Sequence, residues 1–403
     1  MHRHQKALRV SLMITIAIVF ALGSFNRQAD AHAYSASYTT LDISKSRIEM
    51  TYSLDELSVI ELVGGDMDQN GMLDEQEFEA VKDRLLKVLE QDIAFKIDNQ
   101  PQAWSDVESL VMDRQGDATK AILKLKFPSV TSSQPMSLTD RLYVNNKATA
   151  NYVDLVTIHY GSQKSTAALS GSNRVWAMQL TDNEYANLGQ DGQTAQQDAA
   201  NAPDGETPAS ENPGGTSQAY TGWLSFFTLG MNHILSGYDH LLFLFSLLIA
   251  RQTFKQYAAM ITAFTVAHSI TLTMTVLGFI NVPAIIVEPA IALSICYVAI
   301  DNMIRERVSY RWVLTFIFGL IHGMGFADIL KEMDIPRSEL AVDLVSFNLG
   351  IETVQLIMVA ILLPLLALLH RWKYSRRTVL AFSTAAFALG GIWLVQRLFF
   401  PNP

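Results

Sequence analysis

From residue 222 onward the chain is built from six apolar segments, at about 222–250, 256–280, 283–304, 310–330, 341–369 and 378–400. A helix needs about 20 apolar residues to cross the hydrocarbon core of a bilayer. Each segment is near or above that length, so the pattern predicts a membrane α-helical bundle of six transmembrane helices over 220–403.

The loops orient the bundle. Those after the first, third and fifth segments carry Arg251 and Lys255, then Arg305, Arg307 and Arg311, then Arg371, Lys373, Arg376 and Arg377. The other side has Lys331 and Arg337, with Arg397 near the last helix end, and an excess of cations marks the cytoplasmic side. The N-terminus agrees independently. Arg3, Lys6 and Arg9 precede an apolar run, Val10 to Phe25, and small-x-small sites follow at Ala29–Ala31 and Ala31–Ala33. This is the layout of a signal peptide over 1–33. The chain therefore reads as a multi-pass protein of a bacterial inner membrane, with its N-terminal domain exported to the periplasm or cell exterior.

Charge separates the two parts. Residues 34–219 hold 28 Asp/Glu against 14 Lys/Arg, whereas residues 220–403 hold 10 against 12. An acidic module joined to an apolar one excludes a nucleic-acid surface as the main theme. A disulfide scaffold is excluded as well, because Cys296 is the only cysteine.

Residues 34–186 read as an extracytoplasmic β-sandwich-like domain. Residues 121–127 alternate apolar and basic side chains, and further β-prone runs lie at 35–43, 47–54, 151–160 and 174–180. One helical insertion interrupts them. Residues 66–77 fill every position of a calcium-loop pattern: Asp66, Asp68 and Asn70 as oxygen ligands, Gly71 for the sharp turn, the Met72 carbonyl, Asp74 through water, and Glu77 closing the shell. Leu73 points to the core, and helices are expected over 54–63 and 75–91. The pattern resembles an EF-hand. A lone exported loop of this kind binds Ca2+ weakly, in the ~0.1–1 mM range of extracellular modules, in a structural role. Residues 187–219, with five acidic residues and no Lys or Arg, form a disordered tether.

Ionisable side chains inside a bilayer are costly and mark sites. His233, His240, His268 and His322 lie within the spans, with Asp239, Glu288, Asp328 and Glu352, and Asn232, Asn348 and Gln355 nearby. Five helices contribute, which points to one cavity facing the exported side. His233 and His240 are seven apart, on one face but roughly 10 Å apart along a continuous helix. Two binding stations, or a break near Gly237, fit better. Asp239 points off that face and is expected to orient a histidine of another helix. Imidazole and carboxylate without thiolate suit nickel, cobalt or zinc.

At these residues the chain resembles the HupE/UreJ family of membrane proteins. The likeness rests on Gly230–His240, Phe264–Ser269, Val287–Pro289, Phe318–Gly323 and Phe347–Glu352, five motifs in one order. The His233-x5-Asp239-His240 element is similar to the signature helix of nickel/cobalt permeases. The resemblance implies handling of Ni2+ or Co2+, with His233, Asp239 and His240 as matched residues and metalloenzyme-maturation proteins or further membrane subunits as partners. The calcium-loop module departs from the short members of the family. The leading expectation is a non-enzymatic permease in which the four histidines take the metal ion as substrate while Asp239, Glu288 and Glu352 balance its charge. Two rivals are an intramembrane zinc-dependent hydrolase and a non-catalytic, calcium-responsive membrane assembly protein.

Overall fold

The computed structural model describes residues 35–115, 118–144, 152–189, 222–250, 252–305, 311–331, 337–371 and 374–399. The expected signal peptide and residues 190–219 of the expected tether lie outside them. The chain divides into two compact units. One comprises the described residues of 34–229 and 333–347; the other comprises those of 230–332 and 348–403.

The first unit is β-rich. Its elements run β1 (Ser35–Ile43), β2 (Arg47–Asp55), α1 (Glu56–Val63), α2 (Glu75–Asp92), β3 (Ile93–Ile97), β4 (Gln100–Pro101), β5 (Val107–Gln115), β6 (Ala118–Pro128), β7 (Pro135–Asp140), β8 (Tyr152–Tyr160), β9 (Gln163–Ser170), β10 (Val175–Gln179) and α3 (Asp182–Ala186). They form a six-stranded sheet in the order β5-β6-β2-β1-β8-β9 and a four-stranded sheet in the order β10-β7-β3-β4. β1 pairs antiparallel with β2 and parallel with β8. Period-two alternation decides which face each strand buries. Ile48, Met50, Tyr52 and Leu54 of β2 share one core with Leu123, Leu125 and Phe127 of β6 and with Phe95, Leu138 and Trp176 of the smaller sheet. Leu73, Phe78, Val81, Leu85 and Leu89 bring the helical insertion into the same core. Residues 337–347 belong to this unit too, where the Thr166 hydroxyl donates to Asp343 Oδ2 at 3.0 Å.

A polar seam crosses that core. Asp154 Oδ1 accepts from the hydroxyls of Ser37 (3.0 Å) and Thr39 (2.9 Å). The Tyr152 hydroxyl donates to Asp140 Oδ2 at 2.5 Å, and the backbone N–H of Leu142 donates to Asp140 Oδ1 at 2.7 Å. Both carboxyl groups are fully buried. Burial pushes Asp140 up to about 6. Burial, reinforced by the charge of Asp140, pushes Asp154 well above the ordinary carboxylate range.

The second unit is helical. It draws on α4 (Trp223–Ser236), α5 (Tyr238–Leu248), α6 (Phe254–Val276), α7 (Ala284–Ile304), α8 (Arg311–His322), α9 (Ala327–Lys331), α10 (Arg337–Arg371) and α11 (Ser375–Phe399). Among the described residues four helices are long and apolar enough to cross a membrane: Phe254–Val276, Ala284–Ile304, Glu339–Leu369 and Ser375–Phe399. The first and fourth apolar segments are not continuous helices. The first is divided at Gly237 into α4 and α5, and the fourth is divided by a turn over 323–326 into α8 and α9. Glycine at 237, 323 and 325 supplies the local reason, since it weakens helix interiors.

Arg311, expected in a loop, is instead 3% exposed. Its Nη2 donates to Asp301 Oδ2 at 2.7 Å and to Asn302 Oδ1 at 2.6 Å. Arg376 donates to the carbonyls of Asn302 and Met303, and Asn302 donates to the Ser246 carbonyl at 2.6 Å. This network ties α5, α7, α8 and α11 together at one end of α7.

Candidate metal centre

The four intraspan histidines come together. Ring centroids of His233 and His240 are 4.7 Å apart, those of His240 and His322 5.2 Å, His233 and His268 6.1 Å, and His240 and His268 6.2 Å. The break at Gly237 makes the first of these distances attainable. Gly237 adopts φ −75° and ψ 89°, outside helical values, and its N–H still donates to the His233 carbonyl at 3.0 Å. A side chain there has no room. A Cβ on Gly237 would sit 2.7 Å from the His233 carbonyl oxygen and 2.8 Å from His240 Nδ1.

His268 and His322 are brought together by close packing of α6 against α8. A Cβ on Gly319 would lie 2.6 Å from the Phe264 carbonyl oxygen, and one on Gly323 would overlap the Thr271 hydroxyl and the His268 carbonyl. Glycine at these two positions therefore sets the helix separation that places both imidazoles.

The cluster is buried and aromatic. His233, His268 and His322 are at most 5% exposed. Phe326 lies 4.5 Å from the His233 ring, Phe243 4.9 Å from His322, and Phe264 5.3 Å and 5.9 Å from His322 and His268. A cavity of about 10 Å³ adjoins His240 and is also lined by Phe243, Phe264 and Gln355. That volume is enough for about one water molecule. Gln355 is held by the Thr265 hydroxyl, which donates to its Oε1 at 2.9 Å.

His322 Nδ1 lies 2.8 Å from the Phe318 carbonyl oxygen. A carbonyl only accepts, so Nδ1 carries the proton and Nε2 carries the lone pair. Nε2 of His322, Nε2 of His240 and both ring nitrogens of His268 are buried with no hydrogen-bond partner among the described residues. Buried polar atoms are nearly always satisfied, so four such nitrogens in one cluster require a reason. As placed, the rings do not form a closed shell. The one group of three ligand atoms mutually within 4.8 Å among the described residues is elsewhere.

The carboxylates sit differently from expectation. Asp239 Oδ2 accepts from Arg397 Nη2 at 2.6 Å, and no histidine among the described residues hydrogen-bonds to it. Glu288 Oε2 lies 3.7 Å from Arg397 Nε, and the Glu288 backbone carbonyl accepts from Nη1 at 3.2 Å. Glu352 is half-buried on α10 and, among the described residues, joins no close group of three ligand atoms. Arg397 is the residue that sequence reasoning missed. The signal available was charge: two carboxylates inside the spans, and an arginine near the end of the last one.

The group of three is in the β-rich unit. Carboxylate oxygens of Asp66, Asp68 and Glu77 lie within 4.8 Å of one another. Gly71 takes φ 80° and Gln69 φ 59°, the left-handed region that a tight loop needs. Asp66 accepts from the N–H groups of Asn70 (3.1 Å) and Gly71 (2.9 Å). Desolvation works against its charge, but these backbone donors outweigh it and hold Asp66 below its usual range. Asp74 caps α2, exchanging hydrogen bonds with Glu77, and Leu73 is buried as expected. Asn70 Oδ1 accepts from the Met72 N–H at 2.7 Å. The hard oxygen donors suit calcium, and their convergence fits such an ion.

Comparison with known proteins adds one finding. The family model described as HupE / UreJ protein matches residues 213–397. No curated protein matches the chain.

Proposed function

From the match of residues 213–397 to the HupE / UreJ family, we propose that this protein is a six-span, non-enzymatic membrane permease that carries a divalent transition-metal ion, nickel or cobalt, past the four-histidine cluster. The carrying observation is the set of buried ring nitrogens without partners on His240, His268 and His322. Neutral imidazoles are good ligands for borderline divalent ions. Three of them, with His233 close by, offer an incoming ion replacement for lost hydration in a site lined by phenylalanine. Asp239, Glu288 and Glu352 supply negative charge near that path rather than a closed inner shell. Rings that stand close without closing a shell suit an ion that must leave again. Broken helices at a binding site are a recurring device of transporters, because they free backbone and allow local movement.

In this reading α4 with α5 forms the first span and α8 with α9 the fourth. The β-rich unit is extracytoplasmic, and Asp66, Asp68, Asn70, Met72, Asp74 and Glu77 hold calcium as a structural staple. Calcium there supplies cross-linking of the loop between α1 and α2.

The test is metal analysis and uptake. Detergent-purified wild type should retain nickel or cobalt, and reconstituted vesicles should accumulate it, both dependent on His240. Stoichiometric zinc with lipid cleavage favours the hydrolase instead. Loss of function in Asp66→Ala with silent alanine substitutions at all four histidines favours the assembly protein.

A further inference from the structure

Arg397 joins three helices at the histidine cluster. It is 9% exposed and meets Asp239 of α5, the residue directly before His240, and Glu288 of α7. A guanidinium stays protonated, so the triad of one cation and two carboxylates carries a net charge of minus one. The contacts are unequal. Nη2 to Asp239 is short, whereas Nε to Glu288 is 3.7 Å, and Nε has no hydrogen-bond partner among the described residues. A purely structural arginine clamp favours paired, parallel bonds to its carboxylate. This one neutralises charge without saturating its donors.

We propose that Arg397 is an affinity-setting residue of the ion path: it cancels one of the two carboxylate charges it meets, Asp239 next to His240 in the chain and Glu288 on α7, so that a divalent ion meets one net negative charge rather than two. The inference rests on the transport reading. Its consequence is a balance between capture and release. With both carboxylates uncompensated a divalent ion is held too firmly, and binding energy that is equal in all states does not speed passage. With neither available, neutral imidazoles alone meet the cost of desolvating two positive charges. Arg397 sets the intermediate value.

The experiment uses the full-length protein with nickel as probe, reading Kd in detergent and the KM and maximal rate of uptake in vesicles. Arg397→Gln should tighten Kd by about tenfold or more, as expected for one extra charge near a divalent ion in a partly buried site, and lower the maximal rate. Glu288→Gln, which leaves the Arg397–Asp239 pair intact, should weaken Kd by a similar factor. The double variant Arg397→Gln/Glu288→Gln restores the net charge and should return Kd toward the wild-type value. Arg397→Lys, which keeps the charge, should stay near wild type in Kd. Weaker binding in Arg397→Gln, or a double variant no closer to wild type than either single one, overturns the assignment and leaves a structural clamp. If Arg397→Gln fails to fold, Glu288→Gln and Arg397→Lys decide: an unchanged Kd in the first, or a tightened one in the second, sinks the proposal. A wild type that neither binds nor accumulates nickel or cobalt overturns the transport reading itself. A transporting wild type with no shift in Kd in any variant overturns the charge assignment alone.

Discussion

The Arg397 guanidinium donates to Asp239 Oδ2 at 2.6 Å across the α5–α11 pair, one residue from a histidine whose ring stands 4.7 Å from His233. An imidazole of the histidine cluster and an arginine-bound carboxylate are thus chain neighbours. Asp239 contributes charge to the site while its oxygen is committed elsewhere, and the behaviour of variants follows from this division.

Gly237→Ala tests the break between α4 and α5. The added Cβ meets both the His233 carbonyl and the His240 ring, so one of them must move. Overpacking of this kind costs about 1–3 kcal/mol, and here the cost falls on the site. Bound nickel or cobalt per chain, measured by elemental analysis, should fall well below wild type while the purified protein remains helical by circular dichroism. Unchanged stoichiometry would show that the two rings need not be adjacent.

Gly323→Ala should act on the other pair. Its Cβ overlaps the Thr271 hydroxyl and the His268 carbonyl, so α8 must retreat from α6 and carry His322 away from His268. The expected outcome is a lower melting temperature in detergent together with weaker metal binding. Gly391→Ala, at a position where an added Cβ meets nothing within 4 Å, is the control and should match wild type.

The buried pair Asp140 and Asp154 gives the β-rich unit an unusual pH profile. Folding raises both pKa values, so the folded state holds more protons than the unfolded chain between about pH 4 and the folded values. Stability contributed by the protonated pair is present at low pH and is lost as pH rises through about 6. A raised carboxyl of this kind amounts to roughly 1–3 kcal/mol of pH-dependent stability. Protection factors of the β1 and β8 amides, which correct for the base-catalysed rise of intrinsic exchange, should therefore fall from pH 5 to pH 8, and Asp154→Asn should flatten that dependence. Higher protection factors at pH 8 than at pH 5 would contradict it.

Calcium removal should loosen the helical insertion and spare the helical unit. At about one to ten times its Kd, which millimolar Ca2+ reaches at a site of this kind, a ligand stabilises a folded site by about 0.4–1.4 kcal/mol. Millimolar Ca2+ should slow amide exchange over residues 66–92 relative to chelator, and Asp66→Ala should abolish the difference. Protection that is equal with and without calcium would rule out the staple.

Arg311→Ala removes the 2.7 Å partner of buried Asp301 and leaves it, among the described residues, only the exposed Arg305, at 3.6 Å. Breaking a buried pair costs about 3–5 kcal/mol, so the variant should express poorly or melt early. Adding Asp301→Asn removes the stranded charge and should recover much of the loss in the same thermal assay.

Much of this was legible in the residues. β-prone composition places β1 at 35–43, and 47–54 and 151–160 fall within one residue of β2 and β8. β2 alternates strictly and β1 over most of its length, whereas β8 buries seven residues in a row and was legible only from its Val, Ile, Thr and Tyr content. β3, β4, β5, β7 and β9 gave no such signal. β4 is only two residues long, and β9 buries five consecutive residues instead of alternating. The convergence of four histidines follows from the cost of placing imidazoles among apolar segments. Their nearest pair could not be settled by spacing, because seven residues mean about 10 Å in a straight helix and far less across a break. The fate of Asp239 was hidden for another reason: its partner lies 158 residues away, and no local pattern encodes so distant a contact.

The breaks at Gly237 and after His322 have one more effect. Both α4 and α8 end within one turn of a histidine of the cluster, His233 and His322. Aligned peptide dipoles leave a partial negative charge of about half an electron at such a C-terminus. Each break therefore sets a negative helix end beside a cluster histidine with the positive end of the next helix, α5 or α9, close behind it, a pair of fixed peptide charges that no titration can remove.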